Sequence, residues 1–263
     1  MPDADDWLSA YARAWEQADS DAVVELFTSD ATYRSSIFRE PHAGAQGIRA
    51  YWDRATSTQS DVRVRLGAPI VDGDMVAAEW WTTMSSEGDA ITLPGVLVLH
   101  FQGDRCDTLR EYWHSEAGMI EPPEGWGTAN ASGSSAEAGV RRWADGWMSA
   151  WPVGDVDAIE GIVSEDMSYS SHPFREPFLG RVGVRQYVEQ AFDEESEVQP
   201  RFAAPIVAGS SAAVEYWATM QENGEPVTLA GCGFLSFDPA GRAQTLRDYW
   251  HIQSGTHDPP YAF

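Results

Sequence analysis

Apolar residues recur at helical spacing at the start of the chain. Trp7, Tyr11, Ala14, Trp15 and Ala18 fall on one face, which predicts an amphipathic first helix. Ser20 or Asp21 is placed to cap a short second helix running to Phe27. The pattern then shortens to a strand over Ala31 to Ile37, a turn through Pro41 to Gly47, and a third helix over about Gln46 to Ala55. Four strands follow, over about Val62–Val71, Met75–Met84, Ala90–Phe101 and Arg105–His114. Asp72-Gly73-Asp74 and Glu87-Gly88-Asp89 read as hairpin turns between them. The order is α-α-β-α-β-β-β-β, an α+β class with helices gathered on one face of an antiparallel sheet.

The whole pattern then occurs again. FREP stands at residues 38–41 and at 174–177, an offset of 136. At that offset Trp7 meets Trp143, Ala14-Trp15 meets Ala150-Trp151, and Asp19 and Asp21 meet Asp155 and Asp157. Ala68-Pro69-Ile70-Val71 meets Ala204-Pro205-Ile206-Val207. Glu79, Trp81, Thr83 and Met84 meet Glu215, Trp217, Thr219 and Met220. One residue is inserted near Asp238-Pro239, after which Tyr112-Trp113-His114 matches Tyr249-Trp250-His251. The chain therefore divides into a domain over 1–123, a small polar linker over 124–139, and a second domain over 140–263. Both parities of the late strands carry aromatic residues, with Trp80 beside Trp81 and Tyr112 beside Trp113. A sheet apolar on both faces needs a second partner, and the duplicate predicts one through an internal pseudo-dimer.

Composition narrows the chemistry. Seventeen basic against 41 acidic residues give a net charge of −24, which argues against nucleic acid and anionic membranes as partners. All the basic residues are Arg, so a Schiff-base lysine and a P-loop lysine are excluded. Cys106 and Cys232 do not occupy equivalent places, so no disulfide framework is implied and a reducing cytoplasm fits. The first ten residues are acidic and do not read as a secretory signal, and no apolar run is long enough to span a membrane. No His or Cys cluster has metal-ligand spacing, and no serine elbow or Rossmann fingerprint occurs, so neither metal nor cofactor is expected.

The element order, the segment LFTSDATYRSSIFREPHAGAQGIRAYW and the ending GDRCDTLREYWH resemble the nuclear-transport-factor-2-like superfamily. That group includes SnoaL-like polyketide cyclases, ketosteroid isomerases and limonene-epoxide hydrolases. The resemblance implies, in each half, a cystatin-like cone whose curved sheet wraps a helix and leaves a pocket at the wide end. The isomerase's oxyanion tyrosine falls on Tyr11 and Trp147, its general base on Ser35 and Ser171, and its second acid on Leu97 and Gly233. A serine cannot shuttle a proton as a carboxylate does, so steroid isomerisation is not expected. The hydrolase's last-strand aspartate falls on Glu111 and Asp248, within REYW and RDYW. Its Arg-x-Asp pair on an earlier strand has no counterpart in AEWWTT or VEYWAT.

Three functional readings follow. The first is a cofactor-free acid–base enzyme for a small apolar metabolite, acting by cyclisation, isomerisation or epoxide opening. Glu111 and Asp248 would transfer protons, with Glu79 and Glu215 as a second carboxylate pair, either in the pocket or salt-bridged to an Arg. Tyr11, Trp15, Tyr33, Ser35, Trp81 and Trp113 would line the first pocket, and Trp147, Trp151, Tyr169, Ser171, Trp217 and Trp250 the second. The second reading is a non-catalytic binding module. The third is an interaction scaffold plugged by its own tryptophans. Tyr11 against Trp147 predicts two unequal pockets, the second smaller.

Overall fold

A computed structural model describes residues 3–128 and 136–261. The chain divides into two compact units, Met1–Ala129 and Asn130–Phe263. Residues 129–135 of the linker expected over 124–139 lie outside the described residues. Helix already begins at Ala136, so the last four residues of that expected linker belong to the second unit's first helix.

In the first unit, α1 (Ala4–Glu16) and α2 (Ser20–Glu25) precede β1 (Phe27–Arg34), β2 (His42–Ala43) and α3 (Gly44–Thr56). Strands β3 (Gln59–Leu66), β4 (Ile70–Asp72), β5 (Met75–Ser86), β6 (Asp89–Gln102), β7 (Arg105–Trp113) and β8 (Glu116–Ala117) complete it. Asp19, not Ser20 or Asp21, caps α2, accepting from the Ala22 amide at 2.9 Å. Asp155 does the same for Ala158 at 3.0 Å in the second unit. These caps account for one of the repeated aspartate pairs. The predicted strand Val62–Val71 breaks in two at Gly67-Ala68-Pro69, because Pro69 has no N–H to give to a ladder.

The sheet order is β2-β1-β7-β6-β5-β3, with β4 on β5 and β8 on β6. One expectation fails here. The sheet is mixed rather than antiparallel, since β1 runs parallel to β7. Ladder shifts interrupt β1–β7 between Phe27 and Thr32 and β3–β5 between Ser60 and Arg63. Asp61 sits at φ 54 in the second of these, a bulge that bends the strand. Glu197 repeats it at φ 54. The core on the inner sheet face joins Trp7, Tyr11 and Trp15 of α1, Trp52 of α3, Tyr33 of β1, and Ala78 and Trp80 of β5. The outer face of β5 is covered in part by the unit's own tail, where the Trp81 indole donates to the Ile120 carbonyl at 2.8 Å.

The second unit repeats the scheme with α4 (Ala136–Ala150), α5 (Val156–Gly161), β9 (Val163–Ser170), β10 (Phe178–Leu179) and α6 (Gly180–Glu194). Strands β11 (Glu195–Phe202), β12 (Ile206–Ala208), β13 (Ser211–Glu222), β14 (Glu225–Phe237) and β15 (Ala243–Ser254) follow. Their order is β10-β9-β15-β14-β13-β11, again with one parallel pair, β15 on β9. The inserted residue is taken up in the β14–β15 loop, where Asp238 accepts from the Ala240 and Arg242 amides at 2.9 Å each. No helix among the described residues is long and apolar enough to cross a membrane.

Candidate functional site

Strand β7 carries Leu109, Glu111 and Trp113 on its inner face, opposite α1 and α3. Glu111 is 5% exposed. The Tyr33 hydroxyl donates to its Oε1 at 2.5 Å and the Tyr11 hydroxyl at 3.1 Å, while the two phenol oxygens stand 2.7 Å apart. Two phenolic protons thus face three contacts, so one contact lacks a proton while Glu111 is ionised. Burial pushes the Glu111 carboxyl up to about 7, against the opposing pull of the two phenols. Both phenols are held well above their ordinary value, first by burial and then by the Glu111 charge.

The contacts continue outward from Tyr33. The Tyr51 ring packs against Tyr33, with their centres 5.1 Å apart. Ser35 Oγ lies 3.2 Å from His42 Nε2, and the His42 ring stacks on Tyr51 at 4.4 Å. The Trp113 indole donates to the Ser35 carbonyl at 2.8 Å. Beside Glu111 lies a cavity of about 190 Å³ walled by Trp15, Tyr51, Trp52, Trp80, Leu93 and Trp113. Gly95 makes room for one wall. It pairs with Trp80 across β5–β6, and a Cβ there would come within 2.7 Å of the indole ring. Gly231 stands likewise under Tyr216 in the second unit.

The second unit has a smaller cavity of about 60 Å³, in keeping with the bulkier Trp147. Asp248 faces it, with the Tyr216 hydroxyl donating to Oδ2 at 2.9 Å. Its Oδ1 is buried and has no hydrogen-bond partner. Burial raises the Asp248 carboxyl to about 7, against the Tyr216 hydroxyl and the Tyr249 amide. A second carboxylate lines the same space. Glu195 stands at the place of Gln59 and accepts from the Trp151 indole at 2.5 Å, as Gln59 accepts from Trp15 at 2.9 Å. Burial pushes Glu195 up to about 7 as well, against the Trp151 indole. Glu195 also borders an adjoining hollow of about 260 Å³ beneath Trp151 and Phe192.

The structure brings Tyr11, Trp15, Tyr33, Glu111 and Trp113 together in the first cavity, and Trp147, Trp151, Tyr169 and Asp248 in the second. Ser35 and Ser171 instead hold the closing strand, accepting from Trp113 and Trp250 through their carbonyls at 2.8 Å each. Trp250 is tied there and is not part of the cavity lining. Glu79, Trp81, Glu215 and Trp217 line neither cavity. Alternation along β5 and β13 turns Trp80 and Tyr216 inward, and these four to the other face. There Glu215 accepts from the Tyr261 hydroxyl at 2.9 Å, and the Trp217 indole donates to the His257 carbonyl at 3.0 Å. Missed were Tyr51, Trp52, Gln59 and Trp80, with Tyr187, Glu195 and Tyr216. The repeat carried a signal for two of these pairs, since Tyr51 meets Tyr187 and Gln59 meets Glu195 at the same offset. Among the described residues no group of three or more His, Cys, Asp or Glu is placed to hold a metal ion.

Similar solved structures include a hypothetical protein with a ketosteroid isomerase-like fold from Catenulispora acidiphila, in complex with trimethylamine. It is 22% identical over 40% of this chain and 83% of that one, with a TM-score of 0.38. An epoxide hydrolase/cyclase-like enzyme of pyran ring formation in the polyether salinomycin is 21% identical over 43% and 94%, with a TM-score of 0.39. A putative polyketide cyclase from Sinorhizobium meliloti is 23% identical over 40% and 93%, with a TM-score of 0.34. The family model for the SnoaL-like domain matches residues 8–108 and, independently, residues 140–244. With both halves matched, this chain belongs to the SnoaL-like domain family and carries that domain twice in tandem.

Proposed function

We propose that the first copy is a cofactor-free acid–base site for a small apolar metabolite, with Glu111 as the proton-transfer group. One observation carries the reading: a buried carboxyl, raised to about 7, borders an aromatic cavity of about 190 Å³ and shares protons with Tyr11 and Tyr33. A group that titrates near neutrality takes a proton and returns it with little driving force lost either way. The apolar walls exclude water and select a hydrophobic carbon skeleton. The class of reaction is proton abstraction or delivery with rearrangement, as in cyclisation, isomerisation or epoxide opening. Asp248 is not a second copy of this site, because it receives one phenol where Glu111 receives two.

Native mass spectrometry of the purified chain, followed by turnover of the carried compound or of a panel of enolisable ketones and apolar epoxides, tests the reading. Glu111→Gln should lower turnover by about 10² or more. With Glu111 as base, wild-type turnover should rise with pH through about 7. Tyr33→Phe removes a hydrogen bond that favours the ionised carboxylate, so it should move that midpoint upward. Full turnover by Glu111→Gln would refute the assignment.

A further inference from the structure

The second cavity has a lining the first lacks. Three substitutions at matched positions change its character together. Trp147 replaces Tyr11, so Asp248 loses a phenol donor and its Oδ1 is left buried without a partner. Glu195 replaces Gln59, adding a carboxylate where the first copy has a neutral amide. Gly233, paired with Asp248 across β14–β15, replaces Leu97 and removes a side chain there; a Cβ would meet Leu246 Cδ1 at 3.0 Å and stand 4.0 Å from Asp248 Oδ1.

Asp248 and Glu195 line the same small cavity, with Tyr169 and Tyr187 in its wall. No Arg or His lines that volume. The other groups facing the two acids are the Tyr216 hydroxyl and the Tyr249 amide on Asp248, and the Trp151 indole with the carboxylates of Glu194 and Glu222 near Glu195. All of these are neutral or negative. The other walls are aromatic rings, whose faces are negative. Such a space holds two carboxylates and no positive charge; the Trp147 indole N–H, like Asp248 Oδ1, is buried there without a partner, and the aromatic walls suit alkyl groups. An anion would add a third negative charge beside the two carboxylates, with no Arg or His to offset it.

We propose that the second cavity binds a small alkylammonium ion, its N–H turned to Asp248 and Glu195 and its alkyl groups against the aromatic walls. Cations over aromatic faces gain most when desolvated, as here. The chain's net charge of −24, without a single Lys, draws cations toward it and repels anions. This site stands apart from the proposed chemistry of Glu111, so either can fail alone.

Calorimetry on the full chain tests the proposal with isopropylammonium chloride against isopropanol, its near-isosteric neutral counterpart. The cation should bind at one equivalent, and isopropanol at least about tenfold more weakly. Tetramethylammonium, lacking an N–H for Oδ1, should bind more weakly than isopropylammonium. Affinity should rise severalfold from pH 6 to pH 8, as Asp248 and Glu195 lose protons with midpoints near 7 and the amine stays charged. Asp248→Asn and Glu195→Gln should each weaken binding about tenfold or more, and Glu111→Gln should leave it unchanged. Glu195→Gln installs the residue the first copy already folds with. Should Asp248→Asn fail to fold, carboxyl ¹³C titration of the wild type gives the same answer, since bound cation must lower the Asp248 and Glu195 midpoints. Equal binding of isopropanol, loss of binding in Glu111→Gln with retention in Asp248→Asn, or no heat at either pH would overturn the proposal.

Discussion

At the scale of the residue, Glu111 shows how burial turns an ordinary carboxyl into a tuned one, and what that costs. Its folded midpoint is about 7 against an ordinary 4.5. Between those values the folded chain holds a proton that the unfolded chain has released. Stability from this group is therefore complete below about pH 4.5 and lost as pH rises to about 7, on the order of 3 kcal/mol. Asp248 has the same sign, starting from 3.8. Chemical unfolding at pH 5 and pH 8 should show the wild type weaker at the higher pH. Glu111→Gln keeps an acceptor for Tyr33 and carries no charge, so it should be the more stable protein at pH 8 and closer to wild type at pH 5. Equal pH slopes for the two proteins would mean Glu111 is solvated.

At the scale of the element, the cavity depends on glycines that let rings lie flat across a neighbouring strand. Gly95→Ala places a Cβ 2.7 Å from the Trp80 ring and from the Tyr112 carbonyl. We expect it to cost about 1–3 kcal/mol and to push Trp80 from the cavity wall, which thermal unfolding and indole NMR shifts would register. A melting temperature at the wild-type value would show that β6 yields freely there. The same strands mark where the sequence was legible. Helical and strand periods placed the elements to within a few residues, and the offset of 136 placed them twice. On β7, polar Arg110 between Leu109 and Glu111 left the inward face readable. On β5, Ala77 to Trp81 is buried throughout, so no polar partner betrays its parity and Glu79 went to the wrong face. The parallel β1–β7 pair was hidden for another reason, since parallel pairing leaves no hairpin turn between partners.

At the scale of the whole molecule, the dominant quantity is the charge of −24. Like charges at this density repel one another in the compact state, and salt screens them over about 10 Å at 0.1 M. Raising NaCl from 20 to 300 mM should lift the melting temperature by about 2–4 °C. A melting temperature that fell with salt would show that ion pairs such as Arg185 with Asp157 and Glu160 outweigh the repulsion. Composition gave this term without any coordinates, whereas the size and lining of the cavities needed them.

The two hollows differ at a few matched positions, yet they are translated as one polypeptide. Their abundance is locked at one to one, and no change in expression can supply one without the other. A cell that makes one hollow therefore always makes an equal number of the other. Any drift in the selectivity of one seat is inherited alongside the other's, so the pair evolves as a unit of two specificities rather than as two independent proteins.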